Sequence, residues 1–188
     1  MEPGSWESAL IDALFAHAPV GLAVLDADLK YVRVNQILAD INGVPMDSHI
    51  GRTPTEVVPQ FAGAVEPVLR SILAGGDPII RAEAPQDMPD GQDPDHFYEL
   101  SFYPIERDGT RIGVLGIVND ITERVMAEEE IKAQAATVYK EVVQNLTVAQ
   151  MALEKGDQSR VASALERAFT SAKHLVSAVL LRRSDRDG

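Results

Sequence analysis

Two periods divide the apolar positions of this chain. Up to Thr122 they come in short alternating runs broken by turn residues, and beyond it they recur at steps of three and four. Trp6, Leu10, Ile11, Leu14 and Phe15 share one face of a short helix that must stop before Pro19. Residues 20–25 and 30–34 read as strands joined by Asp26-Ala27-Asp28. Asn35 is a good N-cap for a helix over 36–41 that Asn42-Gly43 ends. Thr53 and Pro54 suit the cap and first position of another short helix, and 61–73 predicts a longer one ended by Gly75-Gly76. A third strand is expected over 78–84. Strands over 96–105 and 111–118 flank Asp108-Gly109, a strong hairpin signal. Two strands, several short helices and three more strands argue α+β, an antiparallel sheet with helices over one face.

After Thr122 the helical period takes over. Ile131, Ala135, Val138, Val142, Leu146, Ala149 and Leu153 keep one face, and Lys155-Gly156-Asp157 breaks the run. Val161, Leu165, Ala168, Ala172, Leu175 and Val179 then repeat at steps of four and three. Two heptad-patterned helices around a Gly-Asp turn predict a helical hairpin. A lone hairpin cannot bury both faces of such a seam, so a dimeric four-helix bundle is expected. The alternative is that both helices fold back on the sheet within one subunit. The seam is assigned to Ile131, Val138, Val142, Leu146, Leu153, Val161, Leu165, Leu175 and Val179. The expected domains are a cap helix (1–18), a sheet domain (19–121), the hairpin (122–182) and a disordered tail (183–188).

Composition changes this picture mainly by exclusion. The formal net charge of −12 would repel nucleic acid and anionic membrane, so neither is expected as a partner. The chain has no cysteine, which excludes disulfides, thiolate metal sites and cysteine nucleophiles. The start lacks a basic and apolar leader, and no apolar run approaches the ~18 residues of a membrane span, so a cytoplasmic protein is expected. Asp87, Asp90, Asp93 and Asp95 crowd one loop, without the Gly and terminal Glu of a calcium loop, and read as solvated. The histidines are scattered, and no phosphate-loop or nucleophile-elbow motif occurs, so no enzyme and no metal site are expected.

The segment Val118-Asn119-Asp120-Ile121-Thr122-Glu123-Arg124 carries a strand into the long helix through an Asp-x-Thr turn. With Tyr31-Val32-Arg33-Val34-Asn35 and Gly51-Arg52-Thr53, in this order over residues 1–124, it resembles a PAS sensor domain. The resemblance implies a five-stranded antiparallel sheet whose helices enclose a cavity, with Asp120, Thr122 and Arg124 coupling that sheet to the helix beyond. Some members of the family bind haem, flavin or small metabolites in the cavity, and others serve only as dimerisation modules. Light-sensing members attach flavin to a cysteine in Gly-Arg-Asn-Cys-Arg-Phe. Pro54 stands where that cysteine would fall, so covalent flavin chemistry is excluded. Haem-binding members use an axial side chain, most often His. The helix over 61–73 has none, and His49, the nearest candidate, reads as a surface or hydrogen-bonded residue, so haem is not expected. Cavity candidates, chosen from strand and helix faces, are Leu22, Val24, Leu38, Ile41, Ile50, Val57, Phe102 and Ile117.

Residues 139–146 also resemble the His-Asp-x-x-x-Gln helix of bacterial histidine kinases, with Tyr139 in the place of the histidine and Lys140 in that of the acid. A phenol beside an ammonium cannot replace an imidazole activated by a carboxylate. No ATP-binding domain is expected after Gly188, so the hairpin reads as a kinase-like dimerisation domain without its chemistry. The function expected is a dimeric, non-catalytic sensor that passes a small-molecule or partner signal into the bundle. The alternative is a ligand-free adaptor docking on a kinase, response regulator or other regulatory protein.

Overall fold

The computed structural model describes residues 3–84 and 96–184, with side chains described over 6–84 and 96–173. The chain divides into two compact units at Thr122/Glu123. The first holds helix α1 (Pro3–His17), strands β1 (Gly21–Asp26) and β2 (Tyr31–Val34), and helices α2 (Gln36–Asn42), α3 (Pro54–Val57) and α4 (Pro59–Leu73). Strands β3 (Ile79–Glu83), β4 (Tyr98–Arg107) and β5 (Thr110–Asp120) complete it. The five strands form one antiparallel sheet in the order β2-β1-β5-β4-β3. The first and last strands thus lie side by side at its centre, and strands distant in sequence share the hydrophobic face.

Local chemistry explains most boundaries. Asp26 Oδ1 accepts from the amides of Asp28 and Lys30, each at 2.9 Å, and closes the β1–β2 turn. Asn35 is buried and acts twice. Its Oδ1 caps α2 through Leu38 N and also accepts from Leu22 N, while its Nδ2 donates to Val20 O at 2.8 Å. Gly43 ends α2 in the left-handed region (φ 64°), where a Cβ would be strained. Thr53 donates its amide to Glu56 at 2.8 Å with Pro54 in the first turn of α3, and these bonds hold the exposed Glu56 carboxyl below the usual carboxylate range.

Leu25, Leu29, Val34, Leu38, Leu69, Ile72, Phe102 and Val114 form the core between sheet and helices. Helix α1 departs from its amphipathic reading. Asp12 meets Arg33 at 2.8 Å and the Arg33 guanidinium stacks 4.3 Å from the Phe15 ring, yet Trp6, Leu10, Ile11 and Leu14 stay exposed. The anchor is one cation gripped by a carboxylate and a ring, a contact that hydrophobic periodicity does not register.

The second unit contains most of α5 (Thr122–Glu154) and helix α6 (Gln158–Ser184), joined by a turn at Gly156. Glu141 accepts from Ser171 Oγ at 3.0 Å and Asn145 from Arg167 Nε at 3.2 Å, fixing the register of the hairpin. The faces turned together bury alanines: Ala149 and Ala152 on α5, Ala164 and Ala168 on α6.

Candidate functional site

The sheet face under α2, α3 and α4 is not completely filled. A cavity of about 90 Å³ remains there, walled by β1 (Ala23, Leu25), β4 (Tyr98, Leu100, Phe102), β5 (Gly116, Val118) and the helices (Leu38, Ile41, Pro54, Phe61, Val65, Leu69), with Val58 and Ala84 beside them. Register explains the choice. Ala23 and Phe102 both pair with Gly116, and Leu100 pairs with Val118, so these residues share one face. Gly116 leaves that face open, because a Cβ there would reach within 3.4 Å of the Phe102 ring.

Three of the eight cavity candidates, Leu38, Ile41 and Phe102, line the space. The other five need correction. Leu22 and Ile117 are cross-strand partners one residue out of phase with the cavity wall, and Val24 pairs with Leu115 on that opposite face. A one-residue slip in a strand reverses the side that a side chain occupies. Ile50 is half exposed beside the isolated bridge from Tyr31, and Val57 packs against the core between Pro54 and Val58 without reaching the cavity. Sequence reasoning missed Phe61, Val65 and Leu69, whose helical spacing on α4 was a usable signal, and Tyr31 and Asn42, for which no periodic signal existed.

Among the described residues, Tyr31, Asn42 and Tyr98 are the polar members of the wall. Burial pushes the Tyr31 phenol up to about 12, and the negative charge of Glu66 adds to the effect, so the hydroxyl stays neutral through the physiological range. Behind them His49 is completely buried. Its Nδ1 lies 3.0 Å from Pro45 O, its Nε2 lies 3.0 Å from Asn42 Nδ2, and its ring meets Tyr31 edge-on at 5.2 Å. His49 is therefore a hydrogen-bonded residue outside the cavity lining, with both nitrogens engaged. Pockets for drug-sized ligands usually measure roughly 300–1,000 Å³, several times the space of about 90 Å³ present.

At the exit of the sheet, Thr122 Oγ1 accepts from Phe97 N and Asp120 Oδ1 accepts from Thr122 N, each at 2.9 Å, while Ile121 N donates to Phe97 O at 2.8 Å. Asp120 and Thr122, two and four residues beyond the cavity-wall residue Val118, thus pin the end of β5. Arg124, in the second unit, reaches Glu128 at 3.8 Å on its own helix.

The residues assigned to the seam fall on two stripes. Val138, Val142 and Val161 are half-buried in phase with the alanine seam inside the hairpin, whereas Leu146, Leu153 and Leu165 are exposed and Ile131 is 37 % exposed. Leu175 and Val179 lie outside the residues whose side chains are described. The stripes share one spacing and differ by a single residue, so periodicity merged them. The outer stripe also carries Tyr139, Val143 and Phe169. Asp87, Asp90, Asp93 and Asp95, and the tail from residue 185, lie outside the described residues. Among the described residues, no acidic or histidine cluster could hold a metal ion, and no helix is long and apolar enough to cross a membrane.

Comparison with known proteins identifies the architecture. A family model of the PAS fold matches residues 15–126. A structure of the Vibrio cholerae VqmA dimer, a DNA-binding LuxR-type receptor, superposes with a TM-score of 0.51 at 21 % identity, over 62 % of this chain and 52 % of VqmA. This chain therefore spans about half of that receptor's length. A sensory box sensor histidine kinase from Vibrio cholerae matches at 18 % identity over 63 % of this chain and 95 % of its own, with a TM-score of 0.47. A domain of a sensory box sensor histidine kinase/response regulator from Geobacter sulfurreducens matches at 25 % identity, over 63 % and 98 %, with a TM-score of 0.48. No curated protein matches the chain.

VqmA corrects one expectation. Net charge predicts no nucleic-acid partner, but a DNA-binding receptor shares this fold. The charge of a whole chain is a sum, whereas phosphate contacts depend on local cations, so −12 is no ground for the exclusion.

Proposed function

The chain belongs to the PAS fold family and carries a sensor domain of signal transduction, and on that premise we propose that it is a cytoplasmic, dimeric, non-catalytic sensor. In this reading the occupant of the cavity biases the end of β5, and α5 and α6 deliver the change as an altered four-helix bundle. The observation that carries it is the short covalent path from the cavity wall at Val118 to the start of α5 at Thr122, pinned by the Asp120 and Thr122 hydrogen bonds. A ligand acts on such a path only by binding two arrangements of it unequally.

Dimerisation is supported by the outer stripe. Tyr139 (73 % exposed), Leu153 (67 %) and Phe169 (72 %) cannot be needed by the hairpin's own seam. Covering them with a second copy would contribute about 1.5–3 kcal/mol for each large side chain fully buried. Tyr139 on this stripe fits the reading of a kinase-like dimerisation hairpin that has lost its phosphoacceptor. The VqmA structure is also of a dimer.

The adaptor reading has its own observation, the modest size of the cavity. Native mass spectrometry of protein from its own host separates the two. A dimer carrying an added small mass supports the sensor, a dimer without one moves the assignment to the adaptor, and a monomer overturns the bundle. The L146E/F169E double variant is expected to be monomeric with unchanged helix content. A dimer that survives it would place the interface elsewhere.

A further inference from the structure

Asn42 and His49 form a polar pair that the general sensor reading does not use, and the orientation of that pair follows from elementary hydrogen-bond chemistry. Pro45 O can only accept, so the His49 nitrogen 3.0 Å away, Nδ1, carries a proton. In the neutral ring Nε2 is then bare, and it accepts from the Asn42 Nδ2 group 3.0 Å away. The amide is thereby fixed with its nitrogen toward the histidine. Its oxygen, a pure acceptor, is the part of the group released from that pairing, on a residue that lines a mostly apolar cavity whose other described polar groups are the phenols of Tyr31 and Tyr98. Complete burial of His49 and its edge-on packing against Tyr31 hold the ring in place.

We infer that Asn42 is the specificity-determining anchor of the cavity, that His49 is its positioning residue, and that the ligand class is a small neutral molecule with one hydrogen-bond donor on an apolar body. This rests on the sensor reading of the cavity and narrows it. Among the described residues, no lining side chain is an acid or a base that would be charged at neutral pH, so an ion would meet no charged partner among them. The volume of about 90 Å³ limits the ligand to the scale of a single small ring; an apolar cavity of ~150 Å³ already accommodates benzene.

Pyrrole and furan provide the test, because they share a five-membered ring and differ in whether the heteroatom carries a proton to donate. Binding to the full chain is followed by amide shifts of Gly116 and Leu100 in the wild type and in Asn42→Leu and His49→Phe. Pyrrole is expected to bind roughly tenfold tighter than furan, the worth of one buried hydrogen bond, and both substitutions should level the two. A merely structural role for His49 would weaken both probes together and leave their ratio intact, which would overturn its positioning role. Should His49→Phe not fold, Asn42→Leu decides alone, since Asn42 is only half-buried at the end of α2. Equal binding in the wild type, or a pyrrole preference that survives Asn42→Leu, overturns the anchor and leaves the cavity reading standing. A preference for furan would mean that the wall recognises the ligand through a donor, the amide nitrogen or a phenol, and would overturn the donor class. If neither probe shifts Gly116 or Leu100, the ligand-sensing reading falls and the inference with it.

Discussion

The sheet unit and the hairpin spend their apolar residues in opposite ways. In the sheet unit the large side chains go inward: Leu29, Leu69, Ile72 and Val114 are almost or wholly inaccessible, and the space left over is a cavity. In the hairpin the small side chains go inward, at Ala149, Ala152, Ala164 and Ala168, while Leu153, Leu165, Phe169 and Tyr139 face out. The first unit therefore stabilises itself and retains room for a guest. The second packs two helices closely through alanine and leaves several large side chains exposed among the described residues, which suits the proposed association.

The sharpest way to break this contrast is to empty the sheet core. Leu69→Ala removes a side chain that is 1 % exposed between α4 and the sheet and should cost about 2–5 kcal/mol, read from denaturant unfolding. A loss under 1 kcal/mol would mean that the cavity collapses freely and is no fixed site. Alkaline pH attacks the same wall. The Tyr31 phenol is raised from 10.0 to about 12, so its contribution is present below about pH 10 and is lost as pH rises through about 12. The full loss is of the order of 3 kcal/mol. Wild type should lose stability over that window and Tyr31→Phe should lose much less; parallel curves would contradict the buried, neutral phenol.

The hairpin offers the smaller effects. Ala164→Leu overfills the seam at a residue with no exposure and should cost about 1–3 kcal/mol. Phe169→Ser, on the outer stripe, should change unfolding by about 0.5 kcal/mol or less when measured at concentrations too low for association. If Phe169→Ser were the more damaging of the two under those conditions, the assignment of inner and outer stripes would be reversed.

How much was legible beforehand depended on whether a signal is local. Asn35 as cap, Gly43 as helix end, Thr53 with Pro54, and the Asp108-Gly109 hairpin could all be read directly, because each answers to the backbone bonds of its nearest neighbours. The cavity wall could be read only in part. Leu22, Val24 and Ile117 look equivalent to Ala23, Leu25 and Val118 until strand register assigns each a face. The His49–Asn42 pair had no periodic signature at all, since it depends on a loop returning a ring against the end of α2.

By itself, then, the sequence determined the order of strands and helices and the change of period at Thr122, because hydrophobic spacing and turn chemistry act over a few residues, while the PAS family was legible only as a resemblance of short motifs in order. Only the tertiary structure decided which side of β1 and β5 faces the helices, that alanine rather than leucine fills the hairpin, and that a buried histidine orients an amide at a cavity wall. Those outcomes depend on volume and on atoms distant along the chain, which a pattern of apolar and polar positions does not encode.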